Sequence, residues 1–140
     1  MADNGYPPIP ESLAKWRSEG VVKELNGHKI FVHTSGPESD DGVLIIHGYP
    51  GSSWDWQGVA EHIGDRARVV VSDMRGFGLS EKPLDGTYQS AYTLQLQADI
   101  YEAVAKDAGL SSVLLVAHDM GQSVGLELMA RQEEGRLPFR

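Results

Sequence analysis

Three predicted strands, each built around a continuous apolar run, constrain the fold of this chain more than any other feature. A run that does not alternate with polar residues is typical of a β-strand buried on both faces. A helical pattern follows each strand. The strands are predicted at residues 43–46, 68–72 and 113–117, and the helices at 53–63, 90–108 and 121–132. This alternation predicts right-handed crossovers between neighbouring strands of a parallel sheet.

The segment before these strands predicts a different arrangement. Short strand patterns at 21–25 and 29–34 flank the dipeptide Asn26-Gly27, which favours the tight turn of an antiparallel hairpin. Residues 11–19 predict a short helix ending at a glycine, and residues 1–10 hold three of the seven prolines and predict an irregular arm. We therefore expect a mixed α/β fold in which an antiparallel hairpin precedes a mostly parallel sheet.

Composition excludes several classes of function. The 140 residues carry a net charge of -8, which argues against binding to nucleic acid or to an anionic membrane surface. The chain has no cysteine, so it has no disulfide framework and no thiolate nucleophile. Its apolar stretches are too short to span a bilayer, and its N-terminus lacks the basic and apolar segments of a secretory signal. We expect a cytoplasmic protein without metal or cofactor.

The third apolar strand runs into its helix through a turn centred on Asp119. Ala117 lies two residues before Asp119 and Gly121 two residues after it, and small residues at these positions permit a sharp strand-to-helix turn. The central residue of such a turn stands at a helix N-terminus, which favours an anion. A carboxylate is already ionised at neutral pH and can attack a saturated carbon without an activating base. The alternative is that Asp119 only caps the helix.

A second turn, HGYP at residues 47–50, follows the first apolar strand directly. Gly48 permits close approach of the backbone, and Pro50 restricts the turn. Such a turn can direct the backbone N–H of Tyr49 towards the nucleophile. Together with the N–H of Met120 it would form an oxyanion hole. The alternative is an ordinary strand-to-helix turn that happens to contain a histidine.

The glycines of a third motif, DMRGFGLS at residues 73–80, lack the spacing of a phosphate-binding loop. We interpret this segment as structural, with glycine turns and a pair between Asp73 and Arg75.

In this order, HGYP, DMRGFGLS and HDMG resemble the α/β-hydrolase family, in particular its epoxide hydrolase and haloalkane dehalogenase branch. The resemblance covers about residues 20–138. It implies a three-layer α/β-hydrolase core that is truncated after the helix following the nucleophile. Residues 1–20 would form the arm and short helix, and residues 21–140 the N-terminal half of the core domain, without its cap and C-terminal half.

The resemblance also implies roles for individual residues. Asp119 would be the nucleophile that forms a covalent alkyl ester with a small-molecule substrate, and the N–H groups of Tyr49 and Met120 would be oxyanion donors. Trp56 is expected to pack its helix against the sheet. The residues expected to line the substrate site are His47, Gly48, Pro50, Trp54 and His118.

Two positions distinguish the alternatives within the branch. Haloalkane dehalogenases commonly place Asn and Trp, which hold the halide, where this chain has Tyr49 and Met120. Epoxide hydrolases usually have an aromatic residue at the first position, although they too tend to have Trp at the second. Epoxide hydrolysis is therefore the leading interpretation, with dehalogenation as the alternative. A serine esterase is disfavoured because the central turn residue is aspartate.

The family's catalytic acid, histidine base and cap have no counterpart in these 140 residues. Residues 139–140 would begin another strand, and we expect the chain to be a fragment whose last complete strand presents a bare apolar edge. A further alternative is therefore an incomplete, inactive chain that self-associates or binds a complementing C-terminal half.

Overall fold

A computed structural model describes residues 7–84 and 88–137 of the chain. The elements in chain order are α1 (Glu11–Glu19), β1 (Val21–Leu25), β2 (His28–Ser35), β3 (Asp41–Ile46), a 3-10 turn (Ser53–Trp56), α2 (Gln57–Ile63), β4 (Arg68–Ser72), α3 (Tyr88–Ala91), α4 (Leu94–Asp107), β5 (Ser112–Ala117) and α5 (Met120–Glu133). Our predictions for residues 1–6 and for a strand at 139–140 lie outside the described residues.

The strands form one sheet in the order β1-β2-β4-β3-β5. β1 pairs with β2 and β2 with β4 in antiparallel fashion, whereas β3 is parallel to both β4 and β5. At the hairpin turn, Asn26 and Gly27 have φ values of 51° and 77°, which Asn and Gly tolerate best. The predicted antiparallel hairpin and parallel sheet are both confirmed.

Helices cover both faces of the sheet, as the continuous apolar runs predicted. Side chains along a strand point alternately to opposite faces. Val43 and Ile45 accordingly share one apolar cluster with Trp16 of α1 and Ala60 of α2. Leu44, on the other face, belongs to a second cluster that includes residues of α4 and α5. The three-layer architecture is therefore present in the described residues.

Two of the predicted helices are divided. The segment predicted as one helix at 90–108 forms α3 and α4, because the Thr93 side chain accepts a hydrogen bond of 3.1 Å from the N–H of Leu96 and begins a new helix there. The segment 53–63 starts as a 3-10 turn, where Ser52 and Asp55 form a reciprocal capping box. Local side-chain-to-backbone bonds thus divide segments that apolar periodicity alone joins.

The β5 edge matches the bare apolar edge that we predicted. Within residues 7–84 and 88–137, β5 pairs only with β3, and Leu114 on β5 is 65% exposed. An apolar recess of about 150 Å³ lies nearby, lined by Leu115 of β5 and by residues of α4 and α5.

No helix in the described part of the chain is both long and apolar enough to cross a membrane.

Candidate active site

Asp119 occupies a strained turn between β5 and α5. Its φ is 52°, a conformation that residues other than glycine rarely adopt. Gly121 makes this turn possible, because a Cβ atom there would lie 2.4 Å from the carbonyl oxygen of His47 and 2.6 Å from that of Ile46. The side chain of Asp119 makes no capping hydrogen bond to α5. The alternative role of helix cap is therefore not supported, and the carboxylate is presented at the carboxyl edge of the sheet.

The HGYP turn lies directly against Asp119. The N–H of Tyr49 donates a hydrogen bond of 2.9 Å to Oδ1 of Asp119. A Cβ atom on Gly48 would lie 2.5 Å from the Cβ of Asp119, so this approach requires glycine. The Tyr49–Pro50 peptide bond is cis. The Tyr49 N–H therefore points towards the Asp119 carboxylate.

The two backbone donors stabilise the ionised form of the carboxylate. The N–H of Met120, and next the N–H of Tyr49, lower the pKa of Asp119 below its ordinary value. The Tyr49 N–H lies 2.9 Å from Oδ1 of Asp119. Asp119 is exposed, and its lowered pKa keeps it ionised at neutral pH.

An open depression of about 670 Å³ adjoins the HGYP turn. His118, the neighbour of Asp119, forms part of its wall, and the ring of Trp56 meets the His118 ring edge to face at a centroid distance of 6.5 Å. The lining residues are Gly48, Tyr49, Pro50, Gly51, Asp55, Trp56, Val59 and His118.

His47 is not among the residues that line this depression. It is fully buried. Its Nε2 accepts a hydrogen bond of 2.9 Å from the N–H of Met74, and its Nδ1–H donates one of 2.9 Å to the carbonyl of Gly48. These bonds fix one neutral tautomer. In contrast to the substrate-binding role that we predicted, the structure gives His47 a positioning role in the turn.

A sequence family described as alpha/beta hydrolase fold matches residues 42–134. The chain belongs to this family. The chain is 41% identical to LipZ of Mycobacterium tuberculosis over 128 residues, covering 91% of this chain and 42% of LipZ. It is 28% identical to a haloalkane dehalogenase of Mesorhizobium japonicum over 134 residues, covering 96% of this chain and 40% of that protein.

A solved structure of an epoxide hydrolase from Vigna radiata superimposes with a TM-score of 0.73 at 33% sequence identity, covering 82% of this chain and 36% of that one. The resemblance to the epoxide hydrolase and haloalkane dehalogenase branch is therefore confirmed. This α/β-hydrolase chain spans about 36–42% of the length of these three proteins.

One predicted contact in this α/β-hydrolase chain is wrong. Asp73 does not pair with Arg75. The two oxygens of Asp73 accept backbone N–H groups, at 2.6 Å from Ser53 and 2.7 Å from Leu79. Arg75 instead donates to Glu81 at 2.8 Å. The buried Asp73 carboxylate thus joins two loops by hydrogen bonds to their backbone N–H groups. These partners could not be predicted from the charged residues next to Asp73 in the sequence.

Trp56, rather than Trp54, lines the depression. Trp54 and Trp56 are both half-buried and pack against the apolar cluster around Val43 and Ile45, so the packing predicted for Trp56 is confirmed, whereas Trp54 is not among the residues that line the depression. Because Ser53–Trp56 forms a 3-10 turn, with three residues per turn, its side chains project in other directions than in the α-helix that we predicted. Asp55 and Val59 also line the depression, and the Ser52–Asp55 capping-box pattern was a usable sequence signal for this turn.

Metal ligation has no support in the described residues. Residues 7–84 and 88–137 contain no group of three His, Asp or Glu side chains placed to hold a metal ion.

Acidification from pH 7.5 to pH 5.5 is expected to lower the free energy of unfolding. Burial lowers the pKa of His47 and that of His33 below the ordinary value of 6.5. Below about pH 6.5 the unfolded chain therefore binds protons that the folded chain does not, which costs at most about 1.4 kcal/mol per pH unit for each histidine. Urea unfolding across this range measures the slope.

His47→Gln should reduce this slope, whereas His62→Gln, at an exposed position on α2, should leave it unchanged. A His47→Gln slope equal to that of the unaltered protein would contradict the assignment.

Proposed function

We propose that the protein carrying this chain hydrolyses its substrate through a covalent alkyl ester on Asp119, and that the substrate is an epoxide. The observation that carries the proposal is an exposed carboxylate in a strained turn that accepts the Tyr49 N–H at 2.9 Å. A lowered pKa of Asp119 keeps this carboxylate ionised. A serine at this position would need a base for activation, whereas the carboxylate does not.

The first step is the attack of one Asp119 oxygen on a saturated ring carbon. The bond from that carbon to the epoxide oxygen breaks. The oxygen keeps the electron pair, stays bonded to the other ring carbon, and takes up a proton from water, which becomes hydroxide. The other carboxylate oxygen, Oδ1, becomes the carbonyl oxygen of the ester and keeps its hydrogen bond to Tyr49.

The second step is hydrolysis of this ester. Water attacks the ester carbonyl carbon, and negative charge develops on Oδ1, where the N–H groups of Tyr49 and Met120 stabilise it. Collapse of this intermediate breaks the bond between the carbonyl carbon and the ester oxygen, releases the diol and restores the carboxylate with one oxygen from water. One proton of the attacking water goes to the departing ester oxygen, and the other neutralises the hydroxide formed in the first step.

The choice of an epoxide over a haloalkane rests on Tyr49, which occupies the position at which the resemblance implies an Asn that holds a halide. Met120 does not separate the two, because both alternatives tend to have Trp at that position. Tyr49 is 69% exposed, and its ring meets Phe77 edge to face at a centroid distance of 6.3 Å, so this position presents an aromatic ring rather than an amide donor.

A single-turnover reaction in water enriched in ¹⁸O tests the ester. The full-length protein that contains this sequence is used in excess over styrene oxide, and the Asp119 peptide is then analysed by mass spectrometry. We expect one heavy oxygen in Asp119 and none in the diol from the first turnover. Heavy oxygen in the diol alone would mean direct attack by water and would refute the ester. A parallel reaction with 1-chlorobutane tests dehalogenation.

A second proposal is that the chain is an incomplete hydrolase that binds a complementing C-terminal half. The supporting observations are the β5 edge, which has no partner strand among the described residues, and the 36–42% of relatives' length that the chain spans. Light scattering of the 140-residue chain, alone and with the remainder of the protein, distinguishes self-association from a one-to-one complex. A 140-residue chain that stays monomeric and does not bind the remainder of the protein would refute the proposal.

A further inference from the structure

We propose that helix α1, acting through Trp16, is a positioning element of the candidate active site. The oxyanion loop is defined here as residues 47–53. Trp16 would hold this loop close enough to Asp119 for the Tyr49 N–H to donate its hydrogen bond to the carboxylate. α1 lies before residues 42–134, which match the α/β-hydrolase family. The consequence for catalysis rests on the proposed function of Asp119, whereas the positioning itself can be measured without a substrate.

Trp16 is anchored from two sides. It is 4% exposed, and its indole Nε1–H donates a hydrogen bond of 3.1 Å to Oγ of Ser53. Its ring stacks on that of His33 from β2 at a centroid distance of 3.5 Å and an interplanar angle of 3°. Glu19, one turn further along α1, faces the same histidine at 3.4 Å. The helix therefore presents its tryptophan to the loop in one fixed orientation.

Ser53 joins α1 to the end of β4. It is fully buried, and in addition to the Trp16 bond its backbone N–H donates to Asp73 at 2.6 Å. A buried hydroxyl that loses its partner carries a desolvation cost. The two bonds together fix the position of the C-terminal end of the oxyanion loop.

The other end of the loop is fixed by His47, through its bonds to Met74 and Gly48. Between the two ends, the N–H of Ser52 donates to Asp55 at 2.9 Å. Gly48 already contacts Asp119 so closely that no side-chain atom fits between them. A displacement of Ser53 would therefore be transmitted to Tyr49, because the short intervening segment has little space in which to absorb it.

Trp16→Phe tests this inference, since phenylalanine keeps the aromatic packing but removes the N–H. Ser53→Ala removes the hydroxyl that accepts it. In the full-length protein, labelled with ¹⁵N-tyrosine and ¹³C-aspartate, NMR reports the exchange rate of the Tyr49 amide hydrogen and the pKa of the Asp119 carboxyl. We expect each variant to speed Tyr49 exchange about fivefold, as for the loss of one net hydrogen bond, and to raise the pKa of Asp119 towards its ordinary value.

The double variant distinguishes an effect of the Trp16–Ser53 hydrogen bond from a general loss of stability. If Trp16 and Ser53 act through their mutual bond, Trp16→Phe/Ser53→Ala should have nearly the effect of either single variant rather than their product. Leu25→Ala is the control for lost stability, because Leu25 is buried in the cluster on the opposite face of the sheet. Lys15→Ala is the control for a change on an exposed position of α1. Both controls should leave the two NMR readouts unchanged.

Unchanged Tyr49 exchange and Asp119 titration in both single variants would overturn the inference, as would equal changes in Leu25→Ala. If Trp16→Phe does not fold, Ser53→Ala decides alone. A positive NMR result without heavy oxygen in Asp119 would refute the proposed function and leave the positioning role standing, so the two failures are distinguishable.

Discussion

Asp119→Asn is expected to reduce kcat/KM for styrene oxide by on the order of 10⁴-fold or more in the full-length protein, as loss of a nucleophile does in enzymes with covalent intermediates. The substitution preserves the shape of the side chain. Asparagine has the same Cβ and shape as aspartate, so it adds no new steric clash at the backbone φ of 52°, and its carbonyl oxygen can still accept the Tyr49 hydrogen bond. The expected loss is therefore chemical rather than structural, because a neutral amide oxygen is a poor nucleophile.

Two control measurements test whether the loss is chemical rather than structural. The free energy of unfolding of Asp119→Asn should stay within about 0.5 kcal/mol of the original value. Asp65→Asn, a change at an exposed position after α2, removes the same charge and should retain full activity. Turnover by Asp119→Asn close to that of Asp65→Asn would rule out Asp119 as the nucleophile.

Gly121→Ala is expected to lower the free energy of unfolding by about 3 kcal/mol, the upper part of the range for overpacking. The added Cβ would lie 2.4 Å and 2.6 Å from the carbonyl oxygens of His47 and Ile46. Backbone atoms at the end of β3 cannot rotate away as a side chain can, so the turn has to open. Urea unfolding measures the loss, and the opened turn should also move Asp119 away from Tyr49.

Gly58→Ala is the matched control. Gly58 lies in α2, and a Cβ there would meet no atom within 4 Å. Alanine at that position should therefore stabilise the chain by roughly 0.5–1 kcal/mol through its helix propensity. If both variants destabilise the protein equally, the close approach at Gly121 is not the cause.

The elements that local sequence encodes were predicted well. The predicted bounds of α1, β1 and β4 match the structure, and those of β2, β3 and β5 differ by at most two residues at either end. Buried strands carry continuous apolar runs because helices cover both faces of the sheet. The hairpin turn followed from Asn26 and Gly27, since their positive φ values are a local backbone preference that needs no distant partner.

The failed ion-pair prediction and the missed contacts of Trp16 depended on distant partners. The charge neighbours Asp73 and Arg75 do not pair, because Asp73 binds the N–H of Ser53, 20 residues earlier in the chain. Trp16 received no role from its sequence context, since its partners Ser53 and His33 lie in other elements of the fold. Periodicity and charge order describe only neighbours along the chain, and the sheet brings other residues together.

The sequence by itself determined that an aspartate stands in a tight turn after a buried strand, because Ala117, Asp119 and Gly121 act within one turn of backbone. Only the tertiary structure decided that the Tyr49 N–H, 70 residues earlier, donates to that carboxylate. The physical reason is the parallel pairing of β3 with β5, which aligns Ile46 with Ala117 and so places the two following turns side by side at the same edge of the sheet.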